Sequence, residues 1–152
     1  MDIDFVIDPD AAALEALTAA MLDSGRYVSP EAAREALIAR TMFNVVDVKT
    51  GWKVDLIVRK HRAFSVAEFS RRSELLLGST LLPVATVEDL VLAKLEWTKL
   101  GGSRRQLDDV RTLLFVAGEA FDRAYVESWL DPLGITALWR SVVTSSEGTG
   151  LS

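Results

Sequence analysis

The stretch MFNVVDVKTGWKVDLIVRK, residues 42–60, constrains the fold more than any other part of the chain. It holds two β-rich segments on either side of Lys49-Thr50-Gly51, a strong hairpin signal. Its second arm, KVDLIV, carries one acid, Asp55, inside an apolar run. A carboxylate on a buried strand is expensive unless a cation, a hydrogen-bonding partner or water meets it. Whatever sheet this hairpin joins must therefore provide for Asp55.

The rest of the chain supplies that sheet and its cover. Ile3 to Ile7 reads as a strand, with Ile3, Phe5 and Ile7 on one face and Asp2, Asp4 and Val6 on the other. Asp8-Pro9-Asp10 ends it and starts a helix whose apolar side is Leu14, Leu17, Met21 and Leu22, with Gly25 as its stop. Ser29-Pro30-Glu31 starts a second helix, with Ser as cap and Pro in the first turn. FSVAEFSRR predicts a short helix and ELLLGSTLLPVAT a strand or a pair of strands. TVEDLVLAKLEWTKLGG has a capped start and a Gly-Gly stop, and should bury Leu90, Leu92 and Leu95. RRQLDDVRTLLFVAG, FDRAYVESWL and ITALWRSVV continue as helices. The expected fold is α+β: a small mixed sheet packed on helices, then a C-terminal helical block, as one domain over residues 1–145 with a flexible tail over 146–152.

Composition narrows the function. Cysteine is absent, which excludes disulfides and thiolate metal sites and fits a reducing, cytoplasmic setting. No apolar run has the length of a bilayer and no charged-then-apolar leader is present, so no membrane partner is expected. A net charge of −5 argues against a broad nucleic-acid surface. His61 is the single histidine, leaving Ser-His or histidine-rich metal chemistry little to use. The four tryptophans fall in separate elements and read as core packing.

The acids carry the chemistry. Asp2 and Asp4 share one face of the first strand, about 6.5–7 Å apart along the chain. The second D-x-D, Asp8 and Asp10, reads as a turn and helix start. If the Asp55 strand lies beside the first, three carboxylates converge, and a divalent cation relieves their repulsion. The other reading puts the three at exposed strand ends, and periodicity alone leaves both open.

DIDFVI, FNVVDVKTGWKVDLIV and VEDLVLAKLEWTKLGGSRRQLDDVRTLL resemble the nucleotidyltransferase superfamily, in particular its small bacterial minimal and AbiEii-like members. The resemblance runs from Asp2 to about Leu133 and is most specific from Glu88 to Asp109. It implies that Asp2 and Asp4 ligate Mg²⁺ or Mn²⁺ and that Asp55 is a further ligand or the catalytic base for an acceptor hydroxyl. It assigns Asp89 and Lys94 to nucleotide binding, Lys94 to the phosphates, with Arg105, Gln106 and Asp109 in support and Asp108 at a variable position. From the residues alone, Lys94 also fits a snorkelling helix lysine, and Arg105 and Asp109 an i, i+4 surface pair. Arg59-Lys60-His61-Arg62 is either a solvated loop or a contact for a polynucleotide acceptor.

The implied reaction is metal-dependent transfer of a nucleoside monophosphate from an NTP to a hydroxyl on RNA, a protein or a small molecule. The family sets a helix ending in Gly-Gly or Gly-Ser before its D-x-D strand, whereas Met1 immediately precedes Asp2 here. The expectation is either a start assigned too late or a truncated protein with a weakened hold on triphosphate, the latter prone to pair as a homodimer or with a partner protein. The rival reading is a catalytically inactive binding or regulatory protein of the same fold, of toxin–antitoxin type. A phosphohydrolase would need a water-positioning base that the sequence does not offer.

Overall fold

The computed structural model describes residues 3–101 and 104–147. Its chain path divides into two compact units, Met1–Phe69 and Ser70–Ser152. Together they make an α+β protein, and no helix among the described residues is long and apolar enough to cross a membrane.

The first unit runs β1 (Ile3–Ile7), α1 (Ala11–Asp23), β2 (Arg26–Val28), α2 (Pro30–Ala39), β3 (Met42–Asp47), β4 (Lys53–Val58) and α3 (Ala63–Ser70). Its sheet has the order β1-β4-β3-β2, with β1 parallel to β4 and the remaining pairs antiparallel. Alternation sorts the side chains. Val28, Val45 and Val54 share one row with Ile3, and Phe43 and Leu56 share the next with Phe5. On this face the buried residues of β2, β3 and β4 pack with Leu14 of α1 and Ala33 and Ala36 of α2. The small alanines let α2 approach the sheet closely. Burying each large apolar side chain contributes about 1.5–3 kcal/mol, which makes this the main source of the unit's stability.

Local signals placed these elements. Asp10 caps α1 by accepting from the Ala13 amide at 2.8 Å, and Ser29 caps α2 by accepting from Ala32 at 3.2 Å. The hairpin turn is held by Asp47, whose Oδ1 accepts from the Lys49 and Thr50 amides at 3.0 Å each. These bonds draw the Asp47 carboxyl below its ordinary value, the Thr50 amide most strongly. Strand β2 was not anticipated; at three residues it is too short for alternation to register.

The second unit starts with β5 (Ser73–Leu77) and β6 (Thr80–Val84), a two-stranded sheet of their own. Helices α4 (Val87–Gly101), α5 (Arg104–Ala117), α6 (Arg123–Leu133) and α7 (Thr136–Glu147) follow, with a 3₁₀ turn at Gly118–Ala120. Val91, Leu92 and Leu95 of α4 are fully buried, as are Val110, Val126 and Val142 from the three later helices.

Several expectations need correction. Leu90 is 37% exposed and Val91 takes its place inside, because the inward stripe of α4 runs 88, 91, 92, 95, 98. Leu22 lies on the outside of α1, where Thr18 is buried instead. Trp139 is buried, but Trp52 and Trp97 are 45% and 54% exposed, one in the hairpin and one off the α4 stripe. Helix α7 continues through residues 146 and 147, where the sequence predicts a tail.

Helix α6 ends on Gly134 in the left-handed region, φ +64°, where the Lys99 ammonium donates to the Leu133 carbonyl at 2.9 Å. A Cβ at Gly134 would lie 2.8 Å from Lys99 Nζ. Gly134→Ala should therefore combine left-handed strain of about 1–2 kcal/mol with loss of the lysine cap. Gly25, φ +80°, has nothing within 4 Å of such a Cβ, so Gly25→Ala isolates the strain. Thermal melts should show the larger drop for Gly134→Ala; equal drops would mean that the Lys99 contact contributes nothing.

Candidate functional site

Because Val54, Leu56 and Val58 take the core face of β4, Asp55 is forced to the opposite face. There it lies in register with Asp4 of β1 on one side and Asn44 of β3 on the other. Neighbouring strands are about 4.8 Å apart, so the three polar side chains form one short row across the sheet. Asp2 lies outside the described residues.

Two like charges in register repel each other, and the sheet answers with donors. The Asn44 side-chain amide donates to Asp55 Oδ1. Lys53, two residues before Asp55 on the same face, brings its ammonium to the same oxygen at 3.1 Å. The Asp55 side chain is only 13% exposed, so this pairing is partly shielded from water. Both contacts fall on Oδ1 and neither on Oδ2. Sequence reasoning missed Asn44 and Lys53, although both carried a signal. Asn44 interrupts an apolar strand at the parity of the acids, and Lys53 stands at i−2 from Asp55.

An all-oxygen set of two carboxylates and an amide carbonyl suits a hard divalent cation. Among the described residues, however, no three His, Asp or Glu side chains gather as a metal-holding group. The Lys53 ammonium stands where a cation would meet Oδ1, so a metal ion there competes with a resident charge.

The second unit separates the other predicted residues into two groups. Lys94 on α4 donates to Asp109 Oδ2 at 2.8 Å and to Gln106 Oε1 at 3.1 Å, both on α5. The α4–α5 packing thus joins three residues the resemblance named. Asp109 takes its hydrogen bond from Lys94, and Arg105, exposed on the same helix, acts on it through charge alone. The Lys94 hydrogen bond, then the charges of Lys94 and Arg105, hold the Asp109 carboxyl below its ordinary value. Asp108 pairs with Arg111 on the exposed side of α5.

Asp89 is different. Expected beside a nucleotide, it is 0% exposed, and both its oxygens are engaged. Oδ1 accepts from the Tyr125 hydroxyl at 2.6 Å; Oδ2 accepts from Thr86 at 2.7 Å and from Arg71 Nε at 3.2 Å. The Arg71 guanidinium stacks 3.8 Å over the Tyr125 ring. Burial, reinforced by the Asp89 hydrogen bond, pushes the Tyr125 hydroxyl well above its usual range, so it remains a donor. Through these bonds Asp89 ties α4, α6 and the segment before β5 together.

A further cluster closes the ends of β1 and β4. Arg59 meets Asp8 Oδ2 through Nε at 2.9 Å and Nη2 at 2.6 Å, while Arg40 reaches Oδ1 at 3.0 Å. Arg40 adopts φ +52°, a left-handed conformation at the end of α2 that brings it to this acid. The sequence offers Asp8 as a turn residue and Arg59 as part of a solvated loop or an acceptor contact. Their sequence separation of 51 explains why neither was recognised as half of a pair.

No protein-family model matches the chain, and no curated protein matches it.

Two outcomes follow. Asp89→Ala should lose about 3 kcal/mol in urea unfolding, the magnitude for breaking a buried charged network, while Lys94→Ala leaves stability nearly unchanged. Comparable losses in both variants would remove the distinction between a core clamp and a surface pair.

The second concerns acid. Arg59, and then Arg40, hold the Asp8 carboxyl below its ordinary 3.8. A depressed folded value stabilises at pH above the unfolded value, and the contribution disappears as pH falls through the folded one. Unfolding midpoints measured from about pH 7 down to about pH 2 should fall below the ordinary carboxylate range. Asp8→Asn should be less stable at neutral pH and flatter in acid; an unchanged acid limb would dismiss the pair as a contributor.

Proposed function

We propose that this chain is a nucleotidyltransferase-type protein whose first unit binds Mg²⁺ or Mn²⁺ through Asp4 and Asp55, with Asp2 as the third carboxylate. The observation that carries this reading is the polar row of Asp4, Asp55 and Asn44 on a sheet whose other face is a packed apolar core. The resemblance of the flanking segments to nucleotidyltransferases supplies the reaction class: transfer of a nucleoside monophosphate from an NTP to an acceptor hydroxyl. A divalent ion bound there supplies electrostatic stabilisation of a phosphoryl group. Asp55 accepts the hydroxyl proton on Oδ2, the oxygen outside its Asn44 and Lys53 contacts, and Asn44 holds the carboxylate in orientation. In the second unit, Lys94 serves nucleotide phosphates, Gln106 and Asp109 keep its ammonium positioned, and Asp89 braces the start of its helix. The cytoplasm is the compartment that goes with this chemistry.

One observation favours the inactive reading. Asp55 already has Lys53, and Lys94 already has Asp109, so these two charges are matched within the protein. A regulatory protein of the same fold retains such internal pairs without needing to exchange them.

Mn²⁺ titration followed by electron paramagnetic resonance separates the readings. Residues 1–152 should bind Mn²⁺ weakly, Asp4→Asn and Asp55→Asn should each weaken binding further, and Lys53→Met should strengthen it by removing the competing cation. Labelled-NTP binding should be weaker still, and reduced by Lys94→Ala. Transfer to a hydroxyl acceptor that vanishes in Asp55→Asn establishes an enzyme; metal binding without transfer favours the regulatory protein. Mn²⁺ binding indifferent to both aspartates would falsify the metal assignment.

A further inference from the structure

The β5–β6 hairpin exposes leucines on both of its faces. Leu75 and Leu77 on one face and Leu76 and Leu81 on the other are 51–65% exposed. A two-stranded sheet alone is marginal in water, so this one gains from further strands. Its two edges are not equivalent. Leu77 pairs with Thr80 across the two-residue turn Gly78-Ser79, so the ladder alternates from there. Leu77, Leu75 and Ser73 sit in hydrogen-bonded pairs, and Leu76 and Glu74 sit in non-hydrogen-bonded pairs. Pro83 pairs with Glu74, which places its missing N–H on the outer edge of β6. A proline there blunts that edge. The outer edge of β5 has no such block: Glu74 and Leu76 present their amides and carbonyls outward.

We infer that β5 pairs antiparallel with β5 of a second copy of this chain, about a two-fold axis through Leu75, to form a four-stranded sheet β6-β5-β5-β6. The register is self-complementary. Centred on Leu75, it pairs all five residues of β5 and sets Glu74 against Leu76 of its mate, with four hydrogen bonds between outward-facing groups. A register centred on Glu74 opposes two carboxylates, and one centred on Leu76 runs each strand past the turn of the other. Because Leu75 pairs with Leu82 within each hairpin, the favoured register lines up Leu82, Leu75, Leu75 and Leu82 in one unbroken row. Such a row is the kind of cross-strand apolar contact that stabilises a sheet.

The absence of cysteine makes the register directly measurable. In a non-hydrogen-bonded antiparallel pair the Cα atoms are about 4.5 Å apart, within disulfide range. Leu75→Cys should therefore crosslink under mild oxidation at least about fivefold faster than Glu74→Cys or Leu76→Cys, whose positions do not face their own copies. Sedimentation equilibrium of the whole chain should show a reversible dimer. Leu76→Pro removes one outward donor per copy without touching the hairpin's own ladder, and should weaken dimerisation roughly tenfold or more. A chain monomeric at all concentrations, a dimer indifferent to Leu76→Pro, or crosslinking no faster at position 75 than at its neighbours overturns the inference. Should Leu76→Pro fail to fold, the crosslinking rates decide alone.

Discussion

An aspartate can leave water only where donors surround it, and each of the two units is organised around that requirement. In the first, Asp55 is held by Asn44 and Lys53, and Asp8 by Arg40 and Arg59. In the second, Asp89 is fully enclosed by Arg71, Thr86 and Tyr125. Apolar burial supplies most of the free energy, but it is indifferent to sliding and rotation. The carboxylates are not indifferent, since each bonded oxygen needs its donors at suitable angles. They therefore select one arrangement of strands and helices among those of similar apolar area.

This matching bears on function. A site ready for a divalent ion ordinarily leaves carboxylates without an internal cation, so that the ion is the cheapest source of positive charge. Here Lys53 already neutralises Asp55, and Asp109 already occupies Lys94. Binding a metal or a phosphate requires exchanging one charged partner for another. That exchange lowers affinity by whatever the internal pair is worth. The same polar row thus suits a weak, displaceable metal site and an inert scaffold, and the two differ in how readily Lys53 withdraws.

Edges pose a separate constraint. Every strand at the border of a sheet leaves backbone groups open, and β6 answers with Pro83 while β5 carries nothing comparable. With leucines on both faces, the hairpin is too small to bury them within itself.

Much of this architecture was legible in the sequence. The strand over Ile3–Ile7, the hairpin at Lys49-Thr50-Gly51, the Asp10 and Ser29 caps and the helical block rest on alternation, helical periodicity and capping, which act within a few residues. Parity put Asp4 away from its strand's core-facing residues, and marked Asp55 only as a lone acid inside an apolar run. What it could not reveal was the parallel pairing of β1 with β4, which brings those acids into register across 51 residues. Nor could it show the cluster around Asp89: an acid early in a helix reads alike whether it faces solvent or meets Arg71, Thr86 and Tyr125. The pairs of Arg59 with Asp8 and Lys94 with Asp109 likewise join residues far apart in the chain, and each half looks like an ordinary surface charge alone. Local preference is encoded residue by residue, whereas the partner of a charge is decided by which elements pack together, and only the tertiary structure determines that.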